Sequence, residues 1–225
     1  MLASFTKANP VISLMQDDRF TLSQRFYLLG ANILQQKDMA ALKVAECLQG
    51  EMQKFAPDIS KIDGFISHLS GMGANGILGA GLLLAAQISK PNVIEVFLNH
   101  KVNPNFKDRH SGATPVMVAA QVGNLGSIKL LHERGARLND KDNEGNHSLI
   151  YILRAPNACL HLDVIKYLLN NEANPFVENK AGWSVDDFVD NLNSSYMKDL
   201  FSKSQKNYAE KKIERIPQHL KYLAR

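Results

Sequence analysis

Residues 71–76, GMGANG, have the glycine spacing of a dinucleotide-binding loop. Such a loop needs a strand before it, a helix after it and an acidic residue about 20 positions later that binds the ribose. An apolar stretch that could form the helix follows, and Glu95 lies 24 residues after Gly71. No series of alternating strands and helices accompanies these glycines. We therefore favour structural glycines in a tight loop over a dinucleotide site.

Cys159, His161 and Asp163 lie close together in the sequence. A cysteine nucleophile needs a histidine base and an orienting group that the fold brings together. A carboxylate at Asp163 would equally favour the start of a helix through the helix dipole, and we take this as the default. We expect Cys47, on an apolar helix, to be a small core residue.

The histidines show no zinc-binding spacing, and the chain has no phosphate-binding loop and no nucleophile elbow. We predict no catalytic residue, no cofactor and no metal, and hence no enzyme. The histidines are His68, His100, His110, His132, His147, His161 and His219.

The composition is that of a soluble globular protein, with 45% hydrophobic and 21% charged residues. The two cysteines form no disulfide framework, which favours an intracellular, cytoplasmic setting. The first residues lack the pattern of a secretory signal peptide. The longest apolar run, 77–88, is shorter than the roughly 20 residues of a membrane span.

The net charge of +4 is concentrated at the C-terminal end. Residues 202–225 contain seven basic and two acidic residues, and the rest of the chain is close to neutral. A uniformly basic surface for nucleic acid is therefore not expected. The tail could be a basic amphipathic helix for an acidic partner or a membrane surface. We favour a terminal helix that packs on the last repeat.

The elements that position these residues recur along the chain. Residues 112–139, GATPVMVAAQVGNLGSIKLLHERGARLN, pass from a loop through Thr-Pro into an apolar helix, a glycine turn, a second apolar helix and Gly-Ala. Residues 82–105 repeat the pattern with an offset of 34, and 161–176 repeat the second helix with an offset of 37. Residues 63–75 and 38–52 give a weaker copy. Fixed-period repeats of this kind indicate stacked helix pairs.

This pattern resembles the ankyrin repeat, clearly over about 78–190 and weakly over 38–76. Met117, Gly126 and Ser127 depart from the family pattern. The resemblance implies an all-α ankyrin-like helix-turn-helix repeat solenoid with N- and C-terminal helical caps. We divide the chain into an N-terminal helical cap (1–37), a degenerate repeat (38–76), two ankyrin-like repeats (77–110 and 111–143), a repeat with a lengthened inter-helix turn (144–180), a capping half-repeat (181–201) and a basic C-terminal helix or tail (202–225).

Single residues explain why the pattern folds in this way. Pro115 suits a first helical turn, where its missing N–H costs nothing. Ala119 and Ala120 let neighbouring units approach closely. Gly135 suits the left-handed conformation that ends a helix. Lys101 and Glu172 hold the equivalent position, where a side chain costs roughly 1 kcal/mol.

The resemblance also implies a binding face, formed by the loops between repeats and the exposed side of the first helices. The candidate partner-binding residues are Arg109, His110, Val118, Gln121, Lys141, Asp142, Asn143, Lys180 and Trp183. An exposed loop Trp183 would be a strong anchor for a partner. The alternative that Trp183 packs over the terminal cap stays open.

These observations predict a non-catalytic, monomeric protein–protein interaction module with an unidentified protein partner and no small-molecule substrate. Adaptors and bacterial effectors delivered into a host cell are the roles that the family resemblance suggests. Two alternatives remain: an enzyme or toxin activity in the N-terminal helical segment, and a nucleic-acid or membrane-surface adaptor that uses the basic tail.

Overall fold

The computed structural model describes residues 39–155 and 158–215. The predicted N-terminal cap, 1–37, and the last ten residues of the basic tail lie outside them. Within the described residues the chain is all-α, with one isolated bridge between Glu178 and Ser184 and no strand. It divides into two compact units, one ending at Phe106 and the other beginning at Lys107.

The first unit contains four described helices: α1 (Met39–Met52), α2 (Ile59–Gly71), α3 (Asn75–Gln87) and α4 (Pro91–Asn99). Asp58 begins α2 by accepting hydrogen bonds from the amides of Ser60 and Lys61 at 3.1 and 3.2 Å. Close approach to α3 needs its glycines, because a Cβ on Gly79 would lie 2.2 Å from the Phe106 ring. Only three residues join α2 to α3, and among them Gly73 has a φ of +71°.

Cys47 is a correction to the sequence analysis, because its side chain is exposed. The buried stripe of α1 runs through Ala41, Ala45, Leu48 and Met52 at helical spacing. Cys47 lies two residues after Ala45 and therefore points away from that stripe.

The second unit contains the remaining helices: α5 (Pro115–Val122), α6 (Leu125–Glu133), α7 (Ser148–Leu153), α8 (Leu162–Asn170), α9 (Val185–Asn191) and α10 (Ser195–Glu214), with a 3₁₀ turn at Ala158–Leu160. Helices α5, α7 and α9 are the first helices of successive pairs, and each packs on the next. Ala119 and Ala120 are fully buried on α5, where their small side chains let neighbouring helices approach closely.

The helix ends follow the expected backbone conformation. Gly135 after α6 has a φ of +92°, and Glu172 after α8 has a φ of +65°. In the first unit, Lys101 after α4 has a φ of +61°. The two non-glycine residues keep the left-handed conformation at the cost that their side chains impose.

Helix α10 crosses the boundary that the sequence analysis placed between 201 and 202. No glycine or proline interrupts residues 195–216, and Pro217 is the first helix breaker. The boundary followed the change in charge, which does not end a helix.

Candidate partner-binding surface

Three loops of the second unit have the same internal design. Each is organised by one acidic or amide side chain, Asp108, Asp142 or Asn179, that accepts hydrogen bonds from the loop that follows it. Asp108 accepts from the amide of Ser111 at 2.8 Å. Asp142 accepts from the amides of Glu144 and Asn146 at 2.9 and 2.8 Å, and Asn179 accepts from those of Ala181 and Trp183 at 3.0 Å.

Backbone hydrogen bonds join each loop to the next. The Asn143 amide donates to the Ser111 carbonyl at 2.9 Å, and the Lys180 amide donates to the Glu144 carbonyl at 2.8 Å. The Asn143 side chain adds a bond from Nδ2 to the His110 carbonyl at 2.9 Å. The loops are therefore held in fixed register, although they contain no regular strand.

A buried polar network supports the second and third loops from below. Asn146 is fully buried, donates to the Asp142 carboxylate at 3.0 Å and accepts from Asn179 Nδ2 at 2.9 Å. The Tyr151 hydroxyl donates to Asp142 at 2.9 Å. Burial, followed by the neighbouring Asp142 charge, raises the pKa of the Tyr151 phenol, so it stays a hydrogen-bond donor.

His147 is the residue before α7, and its two ring nitrogens contact the first turn of α7 and the loop after α8. Its Nδ1 accepts from the Leu149 amide at 3.1 Å, and its Nε2 lies 2.9 Å from the Asn174 carbonyl. A ring nitrogen that accepts and another that donates define the neutral tautomer. Burial lowers the pKa of His147 and favours the same neutral state.

The structure places the predicted site residues in two groups. Arg109, His110, Gln121, Lys141 and Lys180 are exposed, and Val118 is half-buried on α5. Asp142 and Asn143 instead use their side chains in the hydrogen bonds within and between the loops. We use the name loop surface for the exposed loop side chains Arg109, His110, Lys141, Lys180 and Trp183.

Trp183 is half-exposed and also contacts a neighbouring aromatic ring. Its ring lies 6.0 Å from the Phe188 ring, and 49% of the residue is exposed. Ser184 and Asp187 form a capping box at the start of α9, which lowers the pKa of Asp187 through the Ser184 hydrogen bonds. Trp183 and Phe188 occupy the positions of the hydrophobic contact that often flanks such a box.

A cavity of about 310 Å³ opens beside this aromatic pair. Its lining residues are Glu144, Arg154, Asn179, Ala181, Trp183, Phe188 and Asn191. Among them, only Trp183 was predicted from the sequence. The spacing of Trp183, Ser184, Asp187 and Phe188 is a capping signal that would have added Phe188. No local signal could have brought Arg154 into this site.

The glycines at 71 and 73, His161 and Cys159 lie at helix ends and in turns. Gly71 ends α2 and Gly73 lies in the turn before α3, with no strand among the described residues to precede them. The His161 ring packs against Gly123, where an added Cβ would lie 2.4 Å from it. Cys159 is exposed in the inter-helix turn. The described part of the chain holds no group of three or more metal-ligating side chains suited to a metal.

The described part of the basic tail packs on its neighbours. Tyr208 contacts Phe176 with ring centroids 6.1 Å apart, and Gln205 donates to Asp186 at 2.8 Å. Arg215 pairs with Glu172 at 2.5 Å. These contacts agree with the terminal helix that we favoured. None of the described helices is both long and apolar enough to cross a membrane.

Part of the chain is similar to a known family and to known proteins. A family model for ankyrin repeats, in three copies, matches residues 82–179. This chain is 33% identical to a glycerophosphocholine phosphodiesterase of Candida albicans over 90 residues, which are 39% of its length. Over 100 residues, 44% of this chain, it is 30% identical to an ankyrin repeat-containing protein of Schizosaccharomyces pombe. The matches span 7% and 44% of the two relatives. Residues 82–179 therefore match the ankyrin repeat, and the described residues of this chain have an all-α repeat fold.

Proposed function

We propose that this chain is a non-catalytic adaptor that binds a protein partner through the loop surface and the adjoining first helices. Ankyrin repeats generally serve as protein-interaction modules. The observation that carries the proposal is the backbone ladder from Ser111 to Asn143 and from Glu144 to Lys180. It holds the loops rigidly while leaving the tip side chains exposed.

A rigid loop surface favours binding because its order is established before the partner arrives. Binding then costs less free energy, because the loops are already ordered. The surface presents the types of residue that are enriched at protein interfaces, an arginine and a half-exposed tryptophan. The cavity beside Trp183 offers an anchor point within an otherwise shallow surface.

The tail is a weaker candidate for the binding surface. Tyr208, Gln205 and Arg215 hold the described part of α10 against the second unit. Binding through this helix face would require these contacts to break. An adaptor using the loop surface leaves them intact.

We also propose that the chain works as a monomer in a reducing intracellular compartment, whether in its own cell or in a host cell that it enters. Cys47 and Cys159 are both free and exposed. Exposed thiols of this kind are exposed to oxidation or cross-linking in an oxidising compartment. Light scattering of the purified chain, with and without reductant, measures the oligomeric state.

Affinity capture with matched variants tests the binding surface. The site variant carries Arg109→Ala, Lys141→Ala and Trp183→Ala. The control variant carries Lys129→Ala, Lys166→Ala and Tyr196→Ala, which remove two cations and one aromatic ring from the second helices. Quantitative mass spectrometry compares the proteins that each variant and the unmodified chain retain from a cell lysate.

We expect at least one protein that the unmodified chain and the control variant retain and that the site variant loses. Circular dichroism and urea unfolding establish that both variants are folded. Partners lost equally from both variants, or retained by the site variant, would show that binding uses another surface. Turnover of a captured small molecule would contradict the non-catalytic part of the proposal.

A further inference from the structure

Among the described residues, the hydrogen-bonded series of loops ends at the third loop. In each step, the amide that follows Asp142 or Asn179 donates to a carbonyl of the preceding loop. The two steps have nearly equal lengths, 2.9 and 2.8 Å. This repetition identifies the carbonyl of the third loop that would accept the next amide.

That carbonyl belongs to Ala181. Glu144, the acceptor in the second loop, lies two residues after Asp142, and Ala181 lies two residues after Asn179. Ala181 is exposed, and its carbonyl accepts no hydrogen bond from any residue within the described ranges. A backbone acceptor at the end of an ordered series is a template for a further extended chain.

The cavity beside Trp183 and Phe188 lies next to this carbonyl. Ala181, Trp183 and Phe188 all line the opening of about 310 Å³. A backbone acceptor beside a cavity that contains two aromatic rings can recognise a peptide in two ways, by one main-chain hydrogen bond and by one side chain.

We propose that a partner protein binds the third loop with an extended segment. One amide of the segment donates to the Ala181 carbonyl, and one large apolar side chain enters the cavity beside Trp183 and Phe188. This inference rests on the proposed function, since it names the form of the partner and the part of the surface that it occupies.

The charges beside the cavity favour a peptide over a nucleic acid. Glu144 lines the cavity with a side chain that is 75% exposed, and Arg154 lies 4.0 Å from it. Asp186 and Asp187 occupy the first turn of α9 next to Trp183. These carboxylates repel a phosphate backbone, whereas a peptide amide and an apolar side chain carry no charge.

A peptide selection on the full chain tests the proposal. The probe is a displayed library of random 12-residue peptides, from which enriched sequences are synthesised. Trp183 is the single tryptophan of the chain, so its emission reports directly on binding at this site. We expect enriched peptides to share one large apolar residue and to change the Trp183 emission on titration.

Methylation of the peptide backbone tests the hydrogen bond. Each amide nitrogen of the best peptide is methylated in turn, and fluorescence anisotropy of a labelled peptide measures the affinity. We expect one position at which methylation weakens binding at least tenfold. Trp183→Ala weakens binding by a similar factor, and the control Tyr196→Ala, another half-exposed aromatic residue, leaves it unchanged.

Three results would overturn the proposal: no enriched peptide, enriched peptides that leave Trp183 emission unchanged, or tolerance of methylation at every position. A single-stranded oligonucleotide that displaces the peptide would also contradict it. If binding is lost with Arg109→Ala and unaffected by Trp183→Ala, the further inference fails and the proposed function stands. The further inference and the proposed function would both fail only if no protein partner contacted the loop surface.

Discussion

The repeat at 111–143 and the repeat at 144–180 solve the same structural problems with different residues. The first ends its second helix with Gly135, where nothing lies near an added Cβ. The second uses Glu172, whose carbonyl accepts from Asn139 Nδ2 at 2.8 Å and whose carboxylate pairs with Arg215. The first begins its first helix with Thr114, and the second with His147. Departures from the repeat pattern are therefore compensated by contacts made elsewhere in the unit.

The loops differ in the same way. The Asp108 carboxylate accepts two hydrogen bonds, both from Ser111. Asp142 accepts from Glu144, Asn146 and Tyr151 and thereby connects its loop to the buried network. The second loop therefore depends on the buried network, whereas the hydrogen bonds of the Asp108 carboxylate stay within its own loop.

The largest effect that we expect comes from Asp142→Ala. It leaves the Tyr151 hydroxyl without its acceptor and the buried Asn146 amide with only the 3.4 Å contact to the Glu144 carboxylate. It should lower the free energy of unfolding by about 4 kcal/mol. Asp108→Ala, the equivalent change in the preceding loop, should cost about 1 kcal/mol. Urea unfolding followed by circular dichroism measures both. Equal losses would mean that the network adds nothing to the second repeat.

Gly112→Ala should have the next largest effect. Gly112 has a φ of +73°, and its Cβ would lie 2.7 Å from the Asn143 backbone nitrogen. We expect a loss of about 3 kcal/mol from the left-handed backbone and the clash together. Gly135→Ala is the matched control, with a φ of +92° and open space around it. It should cost about 1 kcal/mol. If Gly135→Ala lowered the unfolding free energy as much as Gly112→Ala, the clash with Asn143 would not explain the loss.

His147→Thr gives the second repeat the cap residue of the first. Threonine cannot reach the Asn174 carbonyl, so we expect a loss of about 1.5 kcal/mol at pH 7.5. In the native chain, the lowered pKa of His147 means that the unfolded state binds its proton more readily than the folded state. Stability is therefore complete above the unfolded pKa near 6.5 and falls as the pH decreases through it. Unfolding measured from pH 7.5 to 5.5 should show a weaker pH dependence in the variant. An unchanged pH dependence would exclude His147 as its source.

The smallest effect should be a gain. Glu172→Gly relieves the left-handed backbone and loses the exposed pair with Arg215, so we expect the unfolding free energy to rise by about 0.5 kcal/mol. Lys101→Gly in the first unit relieves the same strain, and should gain about 1 kcal/mol because no ion pair of Lys101 occurs within the described residues. A loss at Glu172→Gly would show that the Arg215 pair outweighs the strain.

Much of the fold could be predicted because the relevant signals are local. The left-handed helix end at Gly135 and the first-turn position of Pro115 follow from residue type alone. Cys47 was misplaced because the sequence shows that α1 is apolar without fixing which stripe is buried. The boundary at 201–202 followed a change in charge, and α10 runs across it from Ser195 to Glu214.

The site was less predictable because its contacts join distant residues. The repeat identifies His147 as the start of a helix, and nothing in the sequence shows that its ring reaches Asn174. Asp142 was predicted to face a partner because it lies in a loop, whereas its carboxylate points into the network beneath that loop. Residue type and spacing therefore located the loops, and side-chain direction required the structure.

Hydrogen–deuterium exchange of the full chain, free and bound to the protein that the capture experiment identifies, tests whether the loop surface binds that protein. We expect binding to slow exchange in the loops at 107–114, 139–147 and 176–184 and to leave helices α6 and α8 unchanged. Protection confined to α6, α8 and α10, with the loops unaffected, would contradict the assignment of the binding surface.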